Sequence, residues 1–311
     1  MTDVLFLGTG AGIPSRTRSL PCVAVRHGHD IILFDCGEGV QRQMIISPFS
    51  FMKVSAIFIT HLHGDHILGL PGLLQTMGMS GRRDILTIGG PKGIKRSMKA
   101  MLSSCERTYA EKVPSDPLKE LEFPLKVIEM TVSEIKFQGY SVSSFPTDHS
   151  VGSVGFVFRE DDLPGKFDAV KAKELGIRQR EFSLLRKGVP VRDIVPDSVI
   201  GPPRPGCRIV YTGDTAPSPA VTEASEGADL LIHESTYSES ESELARNYKH
   251  STATDAARCA MDAGAGMLAL VHISNRYDDP EILRSEASAI FADTIVPSDM
   301  TLISLSRKNI R

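Results

Sequence analysis

Four side chains with metal-binding chemistry fall within six residues, His61-Leu62-His63-Gly64-Asp65-His66. Only nine histidines occur in 311 residues, so three in one short window form a pattern rather than an accident of composition. Neutral imidazole is the commonest biological metal ligand. Zinc accepts imidazole nitrogen and carboxylate oxygen at about 2.0–2.2 Å. A two-metal centre, with ions about 3.5–4 Å apart, needs donors on two sides of one point. A tight loop can provide them, with His61 and His63 turned to one ion and Asp65 and His66 to the other. The spacing H-x-H-x-D-H is not the helical His pair with intervening Glu that marks a metalloprotease. The bland alternative is a polar turn with chance histidines.

Such a loop has to be held by rigid elements. Ala56-Ile57-Phe58-Ile59-Thr60, apolar and β-branched, reads as a buried strand running into it. Three more candidate donors follow strand-like runs: Asp148-His149 after 140–145, Asp214 after Arg208-Ile209-Val210, and His272 after 267–271. Strand ends in α/β layers are where loops converge on a fixed scaffold. Either His149 or His272 alone reads more simply as a structural histidine; their order and shared context favour ligands. His27 and His29, in Arg26-His27-Gly28-His29-Asp30, read as solvated turn residues.

This ordered set resembles the metallo-β-lactamase superfamily. The resemblance implies that His61, His63 and His149 hold one zinc, that Asp65, His66 and His272 hold a second, and that Asp214 bridges them. Manganese or iron would also suit nitrogen and oxygen ligands. It further implies an α/β fold, a four-layer αββα sandwich with the metals at one edge between the sheets.

The element pattern fits that architecture. Strands are expected at 4–7, 22–25 and 31–35, the last two as a hairpin, with a helix over 41–46. His66 to Met79 reads as a helix start interrupted by Pro71 and Gly72. Residues 93–105 have helical spacing, with Ile94, Met98 and Met101 on one face. Several strands follow between 125 and 158. The second half repeats the theme: strands 208–212, 229–233 and 267–272, helices 252–263 and 280–292. No linker splits off a separate domain, so 1–311 reads as one.

Composition is that of an ordinary globular protein, with 41% hydrophobic residues and net charge −3. That charge predicts no general affinity for polyanions, so a nucleic-acid reading must rest on local patches. No run of about 18 apolar residues and no basic-then-apolar leader is present, so the expected compartment is the cytoplasm. Five widely spaced cysteines fit free thiols in a reducing compartment. A hairpin turning at His29 would nonetheless set Cys22 and Cys36 opposite each other, within reach of a cross-strand disulfide.

One stretch stands apart. Residues 163–192 carry eight Lys or Arg against three Asp or Glu, net +5. A short amphipathic helix over 168–175 is flanked by Gly and Pro turns. A charge run is usually a solvated surface insertion. The alternative is a basic arm gripping phosphates, since Lys and Arg that neutralise a backbone supply most non-specific nucleic-acid affinity.

More specific motifs resemble tRNase Z, the endonuclease family that cuts precursor tRNA on the 3′ side of the discriminator base. They are Gly8-Thr9-Gly10-Ala11-Gly12-Ile13-Pro14-Ser15-Arg16-Thr17-Arg18-Ser19, Phe34-Asp35-Cys36-Gly37-Glu38-Gly39, Leu68-Gly69-Leu70-Pro71-Gly72, His233-Glu234-Ser235-Thr236 and His250-Ser251-Thr252. The likeness runs from residue 1 to about 275. Arg16 stands where the family has Lys, Ser19 where it has Asn, and Ser235 where it has Ala. The resemblance implies an inserted arm that clamps the tRNA elbow, here 163–192 with Lys171, Lys173, Arg178 and Arg180. The tip, 175–180, lacks the family's Gly-Pro pair. The short form of the family also implies a homodimer, with precursor tRNA as substrate.

On this reading Asp65 is both ligand and acceptor of the water's proton. His250 is the general acid to the leaving 3′ oxygen, and Glu234 holds its other ring nitrogen. Arg16 and Arg18 meet phosphates near the acceptor stem, or simply cap a surface loop. Glu234 could otherwise be a strand-end surface carboxylate, and His250 a neighbour of a helix cap. The rival functions are a superfamily phosphodiesterase or ester hydrolase acting on a small molecule, and a non-catalytic RNA-binding module. The intact donor set weighs against the second.

Overall fold

The strands of this chain are apolar on both faces because both faces are covered. In β1 (Thr2–Gly8), Val4 and Phe6 point one way and Leu5 and Leu7 the other, and all four are fully buried. A strand with one wet face would alternate apolar and polar instead. A computed structural model describes residues 2–104, 116–119 and 121–305.

The first sheet contains β1, β2 (Cys22–His27), β3 (Asp30–Phe34), β4 (Val54–Phe58), β5 (Leu86–Gly90), β6 (Leu125–Glu129) and the late strand β14 (Leu302–Leu305), in the order β14-β1-β2-β3-β4-β5-β6. The second contains β7 (Glu134–Lys136), β8 (Tyr140–Pro146), β9 (Val154–Glu160), β10 (Arg208–Tyr211), β11 (Leu230–Glu234), β12 (Leu268–Val271) and β13 (Thr294–Ile295), in the order β13-β12-β11-β10-β9-β8-β7. In each sheet one half is parallel, β3 to β6 and β10 to β13. Parallel neighbours point their C-terminal ends the same way, which gathers their loops at one edge.

Three apolar layers alternate with these sheets. Phe34, Phe58, Phe156, Tyr211 and Ile232 fill the space between the sheets. The outer face of the first sheet packs on α1 (Val40–Ile46), α3 (Leu70–Met79) and α4 (Ile94–Ser103), with the single turn α2 (Gly64–Ile67) just before α3. The outer face of the second packs on α7 (Pro219–Ala224), α9 (Ala253–Asp262) and α10 (Glu281–Ser288), with α8 (Ser242–Tyr248) preceding α9. The fold is therefore the expected αββα sandwich.

The arm leaves after β9 and returns at β10. It contains α5 (Ala169–Glu174), capped by the Asp168 carboxylate, and α6 (Phe182–Arg186). Antiparallel bridges Leu163–Arg204 and Phe167–Ile200 close its base, so its return limb runs beyond the stretch 163–192 picked out by charge. It has an apolar core of its own, including Ala172, Ile177, Phe182 and Leu185.

Several local expectations need correction. His27 is not a solvated turn residue: it ends β2, and its Nδ1 lies 3.1 Å from the buried Glu160 carboxylate on β9, which also accepts from the Thr2 hydroxyl. This clasp joins the two sheets. The hairpin register pairs Val23 with Phe34, so the turn centres between Gly28 and His29, one half-step from the assumed point. Cys22 and Cys36 are consequently out of step, and both are free thiols. Pro71 and Gly72 do not interrupt a helix; Pro71 lies in the first turn of α3, where its missing N–H is no loss. The helix expected over 93–105 is α4, and position 105 lies outside the described residues. No helix among the described residues is long and apolar enough to cross a membrane.

The rings of Phe34, Phe58, Phe156 and Tyr211 lie with centroids 5.2–6.0 Å apart beneath the edge where the loops gather. Phe156 is fully buried there. Phe156→Ala is expected to cost about 3–5 kcal/mol of stability. A lowered denaturant midpoint in chemical unfolding measures it, and an unchanged midpoint would show that the inter-sheet layer does not carry that weight.

Candidate metal centre

The loops at the C-terminal ends of β3, β4, β10, β11 and β12, and the loop after β8, meet at one edge of the sandwich. On one side of the meeting point, His61 Nε2 and His63 Nδ1 are 3.0 Å apart, and His149 Nε2 is 3.3 Å from the same Nδ1. Three ring nitrogens so close cannot all carry protons, and a cation is the natural partner for their lone pairs. On the other side, Asp65 Oδ2 is 3.4 Å from His66 Nε2 and 3.6 Å from His272 Nε2. Asp214 lies between. Its Oδ1 is 3.4 Å from His66 Nε2, and its Oδ2 is 3.3, 3.7 and 3.9 Å from the Nε2 atoms of His272, His61 and His149.

These groups fit a metal. His66 Nε2, His272 Nε2 and Asp214 Oδ1 are buried and have no hydrogen-bond partner. A buried polar atom left unpaired costs about 1–3 kcal/mol, and three of them surround one point. The opposite ring nitrogens are held. His61 Nδ1 meets Thr60 Oγ1 at 3.0 Å, His66 Nδ1 meets Asp35 Oδ2 at 2.8 Å, His149 Nδ1 meets the Lys249 carbonyl at 3.0 Å, and His272 Nδ1 meets Thr236 Oγ1 at 2.8 Å. Such partners fix ring orientation and leave Nε2 for a cation.

Charge is divided among the donors: burial would lower the His66 imidazole, but Asp214 and Asp35 push it well above its usual pKa. Burial drives the His61 imidazole well below its usual pKa, with His66 adding to the effect, so it is neutral. Burial alone would raise Asp214, but His272 and His66 hold it well below the carboxylate range. Burial alone would raise Asp65, but the adjacent His272 and His66 imidazoles hold it well below the carboxylate range. It also accepts the Gly12 N–H at 3.0 Å, which ties the glycine-rich loop to the site.

A second group stands beside the donors. His250 Nδ1 is 2.8 Å from Glu234 Oε1, and the His250 ring stacks on His272 with centroids 5.3 Å apart. Glu234 is fully buried, not a surface carboxylate, and accepts from Thr215 N, Thr236 N and Thr236 Oγ1. Burial pulls the His250 pKa down, but the Glu234 charge outweighs it and pushes the value up to about 9. The cap of α9 is Thr252, two residues on, so His250 is free of capping duty.

The comparisons agree with this geometry. Residues 2–174 match the family described as "Anti-Pycsar protein Apyc1" and belong with it over that stretch. A ribonuclease Z of Methanosarcina acetivorans is 39% identical, covering 96% of this chain and 97% of its own. One from Myxococcus xanthus is 41% identical over 91% and 90%. The chain belongs to the ribonuclease Z family. The crystal structure of human tRNase Z, short form, superposes with a TM-score of 0.67 at 27% identity, over 98% of this chain and 99% of that one. Ribonuclease Z chemistry is metal-dependent, and the buried His and Asp clusters supply groups for it.

The candidate phosphate contacts divide. Lys171, Lys173, Arg178 and Arg180 are exposed on the arm, and Arg16 is exposed on the glycine-rich loop. Arg18 is turned inward: its Nη1 donates to Thr9 Oγ1 and to the Pro297 carbonyl, so it braces the loop.

Sequence reasoning did not single out Asp35. It is fully buried and accepts from Thr60 N at 2.8 Å, Thr60 Oγ1 at 3.0 Å and Tyr211 OH at 2.8 Å while orienting His66. The signal was available, a carboxylate at a strand end, but it was read only as part of a motif. Asp35 and His272 both have left-handed backbone, φ 59° and 57°, rare outside glycine and concentrated at functional sites. Asp35→Ala is expected to weaken metal affinity by roughly 10–100-fold. Competition with a calibrated chelator measures this; unchanged affinity would show that His66 needs no such support.

Proposed function

We infer that this ribonuclease Z family member is a metal-dependent endoribonuclease that removes the 3′ trailer of precursor tRNA by phosphodiester hydrolysis and leaves a 3′ hydroxyl on the tRNA. The observation that carries this reading is the His250–Glu234 pair beside the donor set, because it offers a charged imidazole next to the groups that would hold the cations. The named relatives and the basic arm support the same substrate.

We propose two cations per chain, zinc by the donor chemistry with manganese or iron admitted by it, held by His61, His63 and His149 and by Asp65, His66 and His272, with Asp214 between. When bound, they acidify water and neutralise charge on the phosphodiester. Asp65 takes the proton from the attacking water. His250 donates a proton from Nε2 to the departing 3′ oxygen, and Glu234 keeps that imidazole charged and aligned. The exposed Lys171, Lys173, Arg178 and Arg180 grip tRNA phosphates away from the cut, and Arg16 meets phosphates near it. The whole of 1–311 acts as one domain with the arm inserted, in the cytoplasm, where the buried free thiols remain reduced.

A homodimer, with the arm of one subunit reaching the other's site, follows the short form of the family. Ile45, Ile46 and Met79, exposed on α1 and α3, provide apolar surface for it. Sedimentation velocity reads the state directly, and a monomer at micromolar concentration would overturn it.

The deciding experiment incubates the metal-loaded protein with a 3′-extended tRNA transcript and maps the cut, with bis-p-nitrophenyl phosphate in parallel. Cleavage of the small ester alone favours the small-molecule hydrolase. His250→Ala should keep its metal content and lose roughly 10²–10⁴-fold in tRNA cleavage; equal loss of metal and activity argues against the acid role. Lys171→Glu with Lys173→Glu should lower kcat/KM on tRNA, flatten its salt dependence and leave the small ester unaffected. An equal loss on both substrates would remove the arm from substrate binding.

A further inference from the structure

His233 and Cys259 form a pair that the chemistry above does not use. His233, on β11, is buried, and its Nδ1 donates to the Glu234 carbonyl oxygen at 2.7 Å. Its other nitrogen is left with a lone pair, and His233 lines the same cavity as Cys259 on α9, the two interacting so that the thiol is lowered and the imidazole raised. The Thr222 hydroxyl on α7 also donates to Cys259 Sγ, at 3.7 Å. A sulfur that accepts a hydroxyl hydrogen bond and lies beside an oriented imidazole with a free lone pair is the arrangement of an activated nucleophile. Burial raises the thiol's pKa, but the contacts from His233 and Thr222 outweigh it and the net shift is downward.

The pair is not sealed in the core. A cavity of about 310 Å³ between α7 and α9 is lined by both residues, with Pro217, Asp255, Arg258 and Asp262 in its wall. It admits a small reagent and excludes a protein. Its two carboxylates against one guanidinium favour a cationic one.

We propose that Cys259 is a thiol-modification site for small cationic disulfides, activated by His233 and connected through it to Glu234. His233 takes the thiol proton and Cys259 Sγ attacks one sulfur of the disulfide. A new S–S bond forms as the old one breaks. The expelled thiolate keeps the electron pair and takes the proton from His233. The added group withdraws the sulfur from His233, whose other nitrogen holds the strand end carrying Glu234, and Glu234 holds His250. The effect on cleavage rests on the tRNA reading above; the modification itself does not.

The test treats the metal-loaded protein with cystamine between pH 6 and 8 and maps each cysteine by peptide mass. Cys259 should react at least tenfold faster than the buried Cys22, Cys36 and Cys207, with a pH dependence displaced to lower pH than that of an ordinary thiol. His233→Gln should abolish the advantage; if that variant does not fold, the wild-type pH profile decides alone. Cleavage should fall on modification and return with a phosphine reductant, while Cys259→Ser stays active and insensitive to cystamine. A Cys259 rate no greater than that of Cys22, Cys36 or Cys207, or a pH dependence no different from that of an ordinary thiol, overturns the site. Modification that leaves cleavage intact overturns the connection to Glu234. A protein that labels at Cys259 yet never cuts tRNA sinks the functional reading and leaves the site standing.

Discussion

One buried carboxylate ties the architecture to the chemistry. Asp35 collects hydrogen bonds from Thr60 at the end of β4, from His66 in the loop beyond it and from Tyr211 in the opposite sheet. It thereby fixes the distance between the sheets at the edge where the donors gather. Taking a carboxylate out of water is costly unless its lone pairs are filled, and here three residues fill them. The aromatic layer directly beneath, with Phe34 stacked between Phe156 and Tyr211, keeps that edge from closing further. Held open by rings and drawn in by Asp35, the edge has a fixed width, and the facing imidazoles inherit it.

Much of this was legible from residue types. The H-x-H-x-D-H run, the order of His149, Asp214 and His272, and the strands that precede them place the donors at strand ends, and the folded chain brings their ligand atoms together in groups of three within 4.8 Å of one another. Periodicity gave strands buried on both faces, because apolar residues at successive positions, as in 4–7, leave no wet side. What escaped was pairing across long sequence distances. His27 looked like a turn residue because its partner, Glu160, lies 133 positions away. Arg18 looked like a phosphate ligand because its acceptor, Pro297, is in the last fifth of the chain. The supposed Cys22–Cys36 pairing failed on half a residue of register, since a two-residue turn and a one-residue turn look alike in sequence. Pro71 and Gly72 read as breakers, whereas a proline in a helix's first turn is a start signal.

The family comparison adds weight where single residues are ambiguous. Relatives near 40% identity span almost the entire chain, arm included, so the resemblance is not confined to the metal loop. The match described by the Apyc1 family stops at residue 174, before Asp214, Glu234, His250 and His272. It therefore speaks to the first half of the sandwich and leaves the His250–Glu234 pair aside.

The arm's private core has a further meaning. Because Phe167 and Phe182 pack against each other and Arg186 lies over the Phe167 ring, the arm keeps its shape without borrowing from the sandwich. It hangs from a narrow two-legged base. Lengthening it, recharging its surface or rebuilding its tip disturbs few contacts elsewhere, whereas moving any donor by an ångström spoils the centre. The shape of the arm and the geometry of the centre are thus under separate constraint.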